Sequence, residues 1–140
     1  MKNVKIHFCK SNDIGGAFIR FFTFSHWNHV AIEIDGVVYE SLSSTGVRKQ
    51  AASTYGGWDK METVETYVPD LKVTKKFLED QVSKPYDWTA LVALPFREDW
   101  HNKEKWFCSE LVIEAMLKGK FKPIRMESYR VTPRDLRLVV

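Results

Sequence analysis

His29-Val30-Ala31-Ile32-Glu33-Ile34-Asp35-Gly36-Val37-Val38-Tyr39-Glu40-Ser41 is the stretch that decides the fold. Two runs of alternating, β-branched residues flank an Asp-Gly pair. A type I′ hairpin turn needs positive φ at both central positions, and Asp-Gly adopts it readily. With Asp35 and Gly36 as the turn, Ile34 faces Val37, Glu33 faces Val38, Ile32 faces Tyr39 and Ala31 faces Glu40. Side chains alternate across a strand, so His29, Ala31 and Glu33 share one face with Leu42, Glu40 and Val38. Glu40 is then the diagonal neighbour of His29, roughly 7–8 Å away between backbones, and the small Ala31 leaves room between them. A carboxylate on one ring nitrogen fixes the tautomer and leaves the other nitrogen free to act as a base. A core histidine beside a solvated glutamate is the plainer reading of the same pair. A different turn length would move Glu40 to the wrong face.

Outward from the hairpin, Val4–Phe8 reads as an opening strand, and Ala17–Phe22 as a short aromatic helix after Gly15-Gly16. Ser43–Tyr55 is polar and loop-like, Gly56-Gly57-Trp58 is a turn, and Met61–Val68 is a third strand rich in Thr, Val and Tyr. Val73, Phe77, Leu78 and Val82 have helical spacing, which predicts an amphipathic helix over Val73–Val82, ended by Lys84-Pro85. Trp88–Leu94 reads as another short helix, stopped by Pro95.

Phe107–Lys118 is the strongest helix in the chain. Cys108, Leu111, Val112, Ala115 and Met116 form one face, widened by Ile113 and Leu117; Ser109, Glu110, Glu114 and Lys118 share the other side. Glu110 in the first turn and Lys118 in the last suit the helix dipole, and Gly119 is a C′ stop. Such a helix is expected to be central and largely buried. Thr132-Pro133-Arg134-Asp135 resembles a cap followed by Pro at N1 of a short helix. Cys108 sits at the start of the central helix, where unpaired N–H groups and the positive dipole end favour a thiolate. The same helix start offers the Cys108 N–H to an oxyanion. A buried structural cysteine is the alternative for this position, and the one expected for Cys9.

The 140 residues fit a single domain, 1–140, long enough to bury a core without staples. Hydrophobic residues make up 44% and aromatics 14%, which argues for a globular chain rather than a disordered one. The net charge of +3 is spread without a block of like charges, so a nucleic-acid partner is not expected. Two cysteines do not make a disulfide scaffold; free thiols in a reducing compartment are expected, with a single Cys9–Cys108 bridge as the alternative. The first ten residues lack a signal-peptide apolar stretch, and Ala17–Phe24 contains Arg20 and is too short to span a bilayer. A cytoplasmic start and no integral membrane segment are therefore expected; export would need a separate route.

Three blocks taken together are more informative than any one of them. Ser25-His26-Trp27-Asn28-His29-Val30-Ala31-Ile32, Val38-Tyr39-Glu40-Ser41 and Trp106-Phe107-Cys108-Ser109-Glu110-Leu111-Val112 resemble the permuted NlpC-type cysteine peptidases and amidases of the papain-like superfamily. Lecithin:retinol acyltransferase is a more distant relative of that group. In the permuted members the His strand and its carboxylate come first and the Cys helix comes late, as in this chain. The resemblance covers roughly residues 4–136. It implies an α+β papain-like fold, with a small antiparallel sheet against a central Cys-bearing helix. It also implies Cys108 as nucleophile, His29 as base and Glu40 as third member. Pro85-Tyr86-Asp87 also looks like the family, making Tyr86 a candidate oxyanion donor or substrate wall, and Trp27 a further candidate beside it. His26 departs from the pattern by offering a second histidine; His29 is preferred because its parity matches Glu40.

The activity implied is hydrolysis of an amide or peptide bond through a covalent Cys108 intermediate, with no cofactor and no metal. Peptidoglycan stem peptides are a frequent substrate of the fold family, so a peptide or peptidoglycan fragment is the expected partner. Lipid or thioester acyl transfer would use the same trio, but the chain lacks an apolar anchor. A non-catalytic binding module is the reading from another class, with an aromatic groove of Phe21, Phe22, Phe24, Trp27 and Trp58. A metal site from His26, His29, His101 and Cys108 matches no closed zinc spacing.

Overall fold

A computed structural model describes residues 2–11, 27–87, 105–121, 132–137 and 140 of the chain. The helices expected at Ala17–Phe22 and Trp88–Leu94 lie outside these residues, as do His26, His101, Phe21, Phe22 and Phe24. The described residues form an α+β structure. Its strands are β1 (Val4–Lys10), β2 (His29–Ile34), β3 (Val37–Leu42), β4 (Gly46–Ala51) and β5 (Lys60–Thr66). Helices α1 (Leu71–Gln81), α2 (Cys108–Lys118) and α3 (Pro133–Arg137) follow.

The five strands form one antiparallel sheet in the order β4-β3-β2-β1-β5. The β2–β3 register pairs Ile32 with Tyr39, Glu33 with Val38 and Ile34 with Val37, as the Asp-Gly turn requires. Asp35 at φ 50° and Gly36 at φ 76° supply the two positive dihedrals. Val4, Ile6, Phe8, Val30, Ile32, Ile34 and Tyr39 join Leu111, Val112, Ala115 and Met116 of α2 in the hydrophobic core. The other sheet face carries His7, Cys9, His29, Ala31, Glu33 and Glu40, by the alternation of side chains along each strand.

Three local expectations need correction. The stretch Ser43–Tyr55 is not all loop: Gly46–Ala51 is strand β4, followed by a 3₁₀ turn at Ala52–Thr54. Its polar Arg48-Lys49-Gln50 run conceals a strand because β4 lies at the sheet edge, where one side faces water. Gly46 is required there, since φ is +72° and a Cβ would stand 2.3 Å from the Lys84 carbonyl. Helix α1 starts at Leu71, capped by the Asp70 side chain on Val73 N, and buries Thr74, Leu78 and Gln81; Val73, expected on the apolar face, is 42% exposed. In α2 the supposed polar side is also covered, with Ser109 and Glu110 both buried.

The helix stop also works differently. Gly119 has φ −78°, and the left-handed residue is Lys120 at φ 69°. Phe121 N bonds Met116 O and Lys120 N bonds Leu117 O, which is a Schellman closure with Lys120 at C′. Gly119 is needed for space instead: a Cβ would lie 2.1 Å from Thr74 Oγ1 and 2.2 Å from Val68 Cγ1. Thr132 and Asp135 do cap α3 reciprocally, through Asp135 N to Thr132 Oγ1 at 3.2 Å and Thr132 N to Asp135 Oδ2 at 3.0 Å.

Candidate active site

Two strands and one helix start bring the site together. Val47 N donates to Lys84 O at 2.8 Å and Ser83 N to Val47 O at 2.9 Å, which lays the chain after α1 along the edge of β4. That chain then pairs with the segment leading into α2: Trp106 N bonds Pro85 O and Asp87 N bonds Trp106 O, with a parallel bridge between Tyr86 and Trp106. Ser41 Oγ donates to Trp106 O at 2.6 Å, tying the approach to α2 directly to β3. Trp106 Nε1 donates to Gln81 Oε1 at 3.0 Å and the Trp106 ring packs edge-on against Phe77. Cys108 therefore starts its helix next to the residue neighbouring Glu40.

His29 Nε2 lies 2.7 Å from Glu40 Oε1, and Cys108 acts on the same imidazole, favouring its charged form. With Nε2 engaged by the carboxylate, Nδ1 is the nitrogen left for the sulfur. All three side chains are buried. Burial opposes charge on the His29 ring, but the bonds to Cys108 and Glu40 outweigh it and raise His29 to about 9. Burial alone would raise the Glu40 carboxyl. The His29 bond, the Arg48 guanidinium and the Tyr55 hydroxyl overcome that and hold it below its ordinary value.

Tyr86, the next residue singled out in the sequence, packs its ring against Phe107 at 5.7 Å. Burial raises its hydroxyl far above the ordinary range, with Cys108 and Asp87 adding to the rise, so Tyr86 stays protonated. Trp27 is half-buried, with its ring 6.2 Å from the core Phe8 and Lys60 Nζ 5.4 Å above it.

Three neighbours of the His29–Glu40 pair were not anticipated. Tyr55 donates its hydroxyl to Glu40 Oε1 at 3.0 Å. Arg48 Nε donates to Glu40 Oε2 at 3.0 Å, from the residue directly opposite on β4. Trp58 stacks on His29, with ring centroids 4.8 Å apart and planes 13° from parallel. Arg48 was legible only if β4 had been read as a strand, because the cross-strand partner of Glu40 then follows from register. Tyr55 and Trp58 arrive on a strap whose path no periodicity encodes.

Cys9 is also buried and, like Cys108, is not in a disulfide. It pairs with His29 in the β1–β2 register and lies 3.6 Å from the Tyr55 hydroxyl. Burial pushes its thiol up to about 12, which keeps it protonated. Among the described residues no cluster of His, Cys, Asp and Glu is arranged to hold a metal ion, and no helix is long and apolar enough to cross a membrane. No family model matches the chain, and no curated protein does.

Proposed function

We propose that the chain is a cysteine hydrolase of amide or peptide bonds, of the permuted NlpC-type papain-like kind. The observation that carries this reading is a buried Glu40 carboxylate 2.7 Å from His29 Nε2, with Cys108, buried at the start of its helix, favouring the charge on the same imidazole. A cysteine beside a carboxylate-oriented histidine is the arrangement of an activated nucleophile.

In the proposed reaction the Cys108 proton already rests on His29, which holds it up to about 9, and the thiolate attacks the substrate carbonyl carbon. The oxyanion that forms is met by the Cys108 backbone N–H at the helix start and by the protonated Tyr86 hydroxyl. As the C–N bond breaks, His29 returns its proton to the leaving amine. A water, deprotonated by His29, then cleaves the thioester and releases the acid. Glu40 keeps the imidazole in one tautomer throughout and stabilises its charged form. Peptidoglycan stem peptides are the first substrate class to test. Turnover of peptidoglycan fragments or isopeptides by the wild type and none by Cys108→Ala is the expected result. Equal turnover by both proteins, or hydrolysis of acyl esters alone, would refute an amide hydrolase acting through Cys108.

A further inference from the structure

The carboxylate that orients His29 is itself oriented by a directed chain of donors. Glu40, ionised, only accepts hydrogen bonds. The 3.0 Å contact from Tyr55 Oη to Glu40 Oε1 therefore spends the tyrosine proton on the carboxylate. Tyr55 Oη then has only lone pairs to offer Cys9 Sγ, 3.6 Å away, so the thiol must donate to the phenol. The order Cys9 S–H to Tyr55 O–H to Glu40 is thus fixed by chemistry alone, and it ends on the oxygen that also receives His29 Nε2.

We propose that Tyr55 is a positioning residue of the active site: its hydroxyl, backed by Cys9, shares Glu40 Oε1 with His29 and so sets how strongly the carboxylate holds the imidazolium. The inference rests on His29 being the base of the proposed hydrolase. Two geometric facts give it weight. Both donors use the same carboxylate oxygen, so each bond weakens the charge available to the other. The strap that delivers Tyr55 also delivers Trp58, whose ring covers His29, so the pair is closed off from water and the competition is not screened. The charged and titratable groups facing the pair are Cys108 on His29, Arg48 on Glu40 Oε2, and Cys9 behind Tyr55. Burial raises both the Tyr55 hydroxyl and the Cys9 thiol, so each remains a donor across the working pH range.

Removing the phenol hydroxyl returns charge to the side of Glu40 that faces His29. The histidine should then hold its proton to higher pH. The test follows the His29 ring by NMR titration, with its signal assigned by its loss in His29→Ala. In Tyr55→Phe the titration midpoint should rise by on the order of half a pH unit. Cys9→Ala should move it the same way by less, and Cys9→Ser should restore it. If Tyr55→Phe does not fold, the two Cys9 variants carry the test alone. Midpoints that coincide with the wild type, or that fall, would overturn the role of Tyr55. The titration needs no substrate. An absence of turnover would therefore count against the hydrolase while a shifted His29 midpoint still stood for Tyr55.

Discussion

The sheet carries two His–Glu pairs on the same face, and they differ in what surrounds them. His7 Nε2 lies 2.7 Å from Glu33 Oε2, the same distance that separates His29 from Glu40. Both histidines are nearly buried and both sit on adjacent strands of one sheet. The difference lies on the second ring nitrogen and on the carboxylate. His7 Nδ1 meets the Thr63 hydroxyl at 2.8 Å, whereas the charge of His29 is favoured by Cys108, which opens a helix. Glu33 is helped only by the exposed Lys5 at 3.4 Å among the described contacts, whereas Glu40 is fully buried and receives Tyr55 and Arg48 as well. A histidine held by a carboxylate is thus an ordinary cross-strand feature. A nucleophile on the far nitrogen and a fully satisfied, desolvated carboxylate are what distinguish the candidate site.

The largest expected effect separates the two pairs outright. His29→Ala should lower amide turnover by roughly 10²–10⁴-fold, the range for losing a general base. His7→Ala should leave turnover unchanged while lowering stability by about 1–3 kcal/mol, because Glu33 and Thr63 lose their shared partner. Comparable losses of activity in the two variants would erase the distinction.

The next effect lies in pH. Because His29 is raised from 6.5 to about 9, its contribution to stability is full below 6.5 and disappears as pH rises through about 9. Glu40 is lowered from 4.5, so its contribution is present above 4.5 and is lost as pH falls through its lowered value. Turnover should fall on the alkaline side near 9, when His29 can no longer supply a proton to the leaving amine. An alkaline limb unmoved by Glu40→Gln would contradict the coupling of the pair.

Glu110 sharpens the comparison as a buried carboxyl of the opposite kind. Burial, with the negative Asp87 nearby, raises it to about 8. The unfolded chain gives up this proton near 4.5, so folding is penalised increasingly between 4.5 and about 8. Glu110→Gln should therefore raise the melting temperature more above pH 8 than at pH 5, measured by calorimetry across that range. The smallest effect is expected at the rim of the second pair: Lys5→Ala removes a half-exposed contact and should change stability by less than about 1 kcal/mol in denaturant titration.

Much of this was legible in the sequence, and the residues explain why. The Asp35-Gly36 turn fixes register without help from tertiary structure, so the His29–Glu40 adjacency followed from the chain alone. The α2 periodicity likewise placed Cys108 at a helix start. Strand β4 was missed because an edge strand needs few apolar residues, and its pairing is dictated by β3. Gly119 suggested a left-handed stop, yet its small size serves the close approach of α1, a contact that no local pattern announces. Tyr55 and Trp58 were hidden for the same reason: a strap without regular structure brings them onto Glu40 and His29.

The chain carries its own control for the central claim, a second buried thiol with no histidine bonded to it among the described contacts. Peptide mapping after brief iodoacetamide treatment at neutral pH reads Cys108 and Cys9 separately. Rapid alkylation of Cys108, a silent Cys9 and loss of the Cys108 reaction in His29→Ala are predicted. Equal, slow reaction of both thiols, or a Cys108 rate untouched by His29→Ala, would contradict the account.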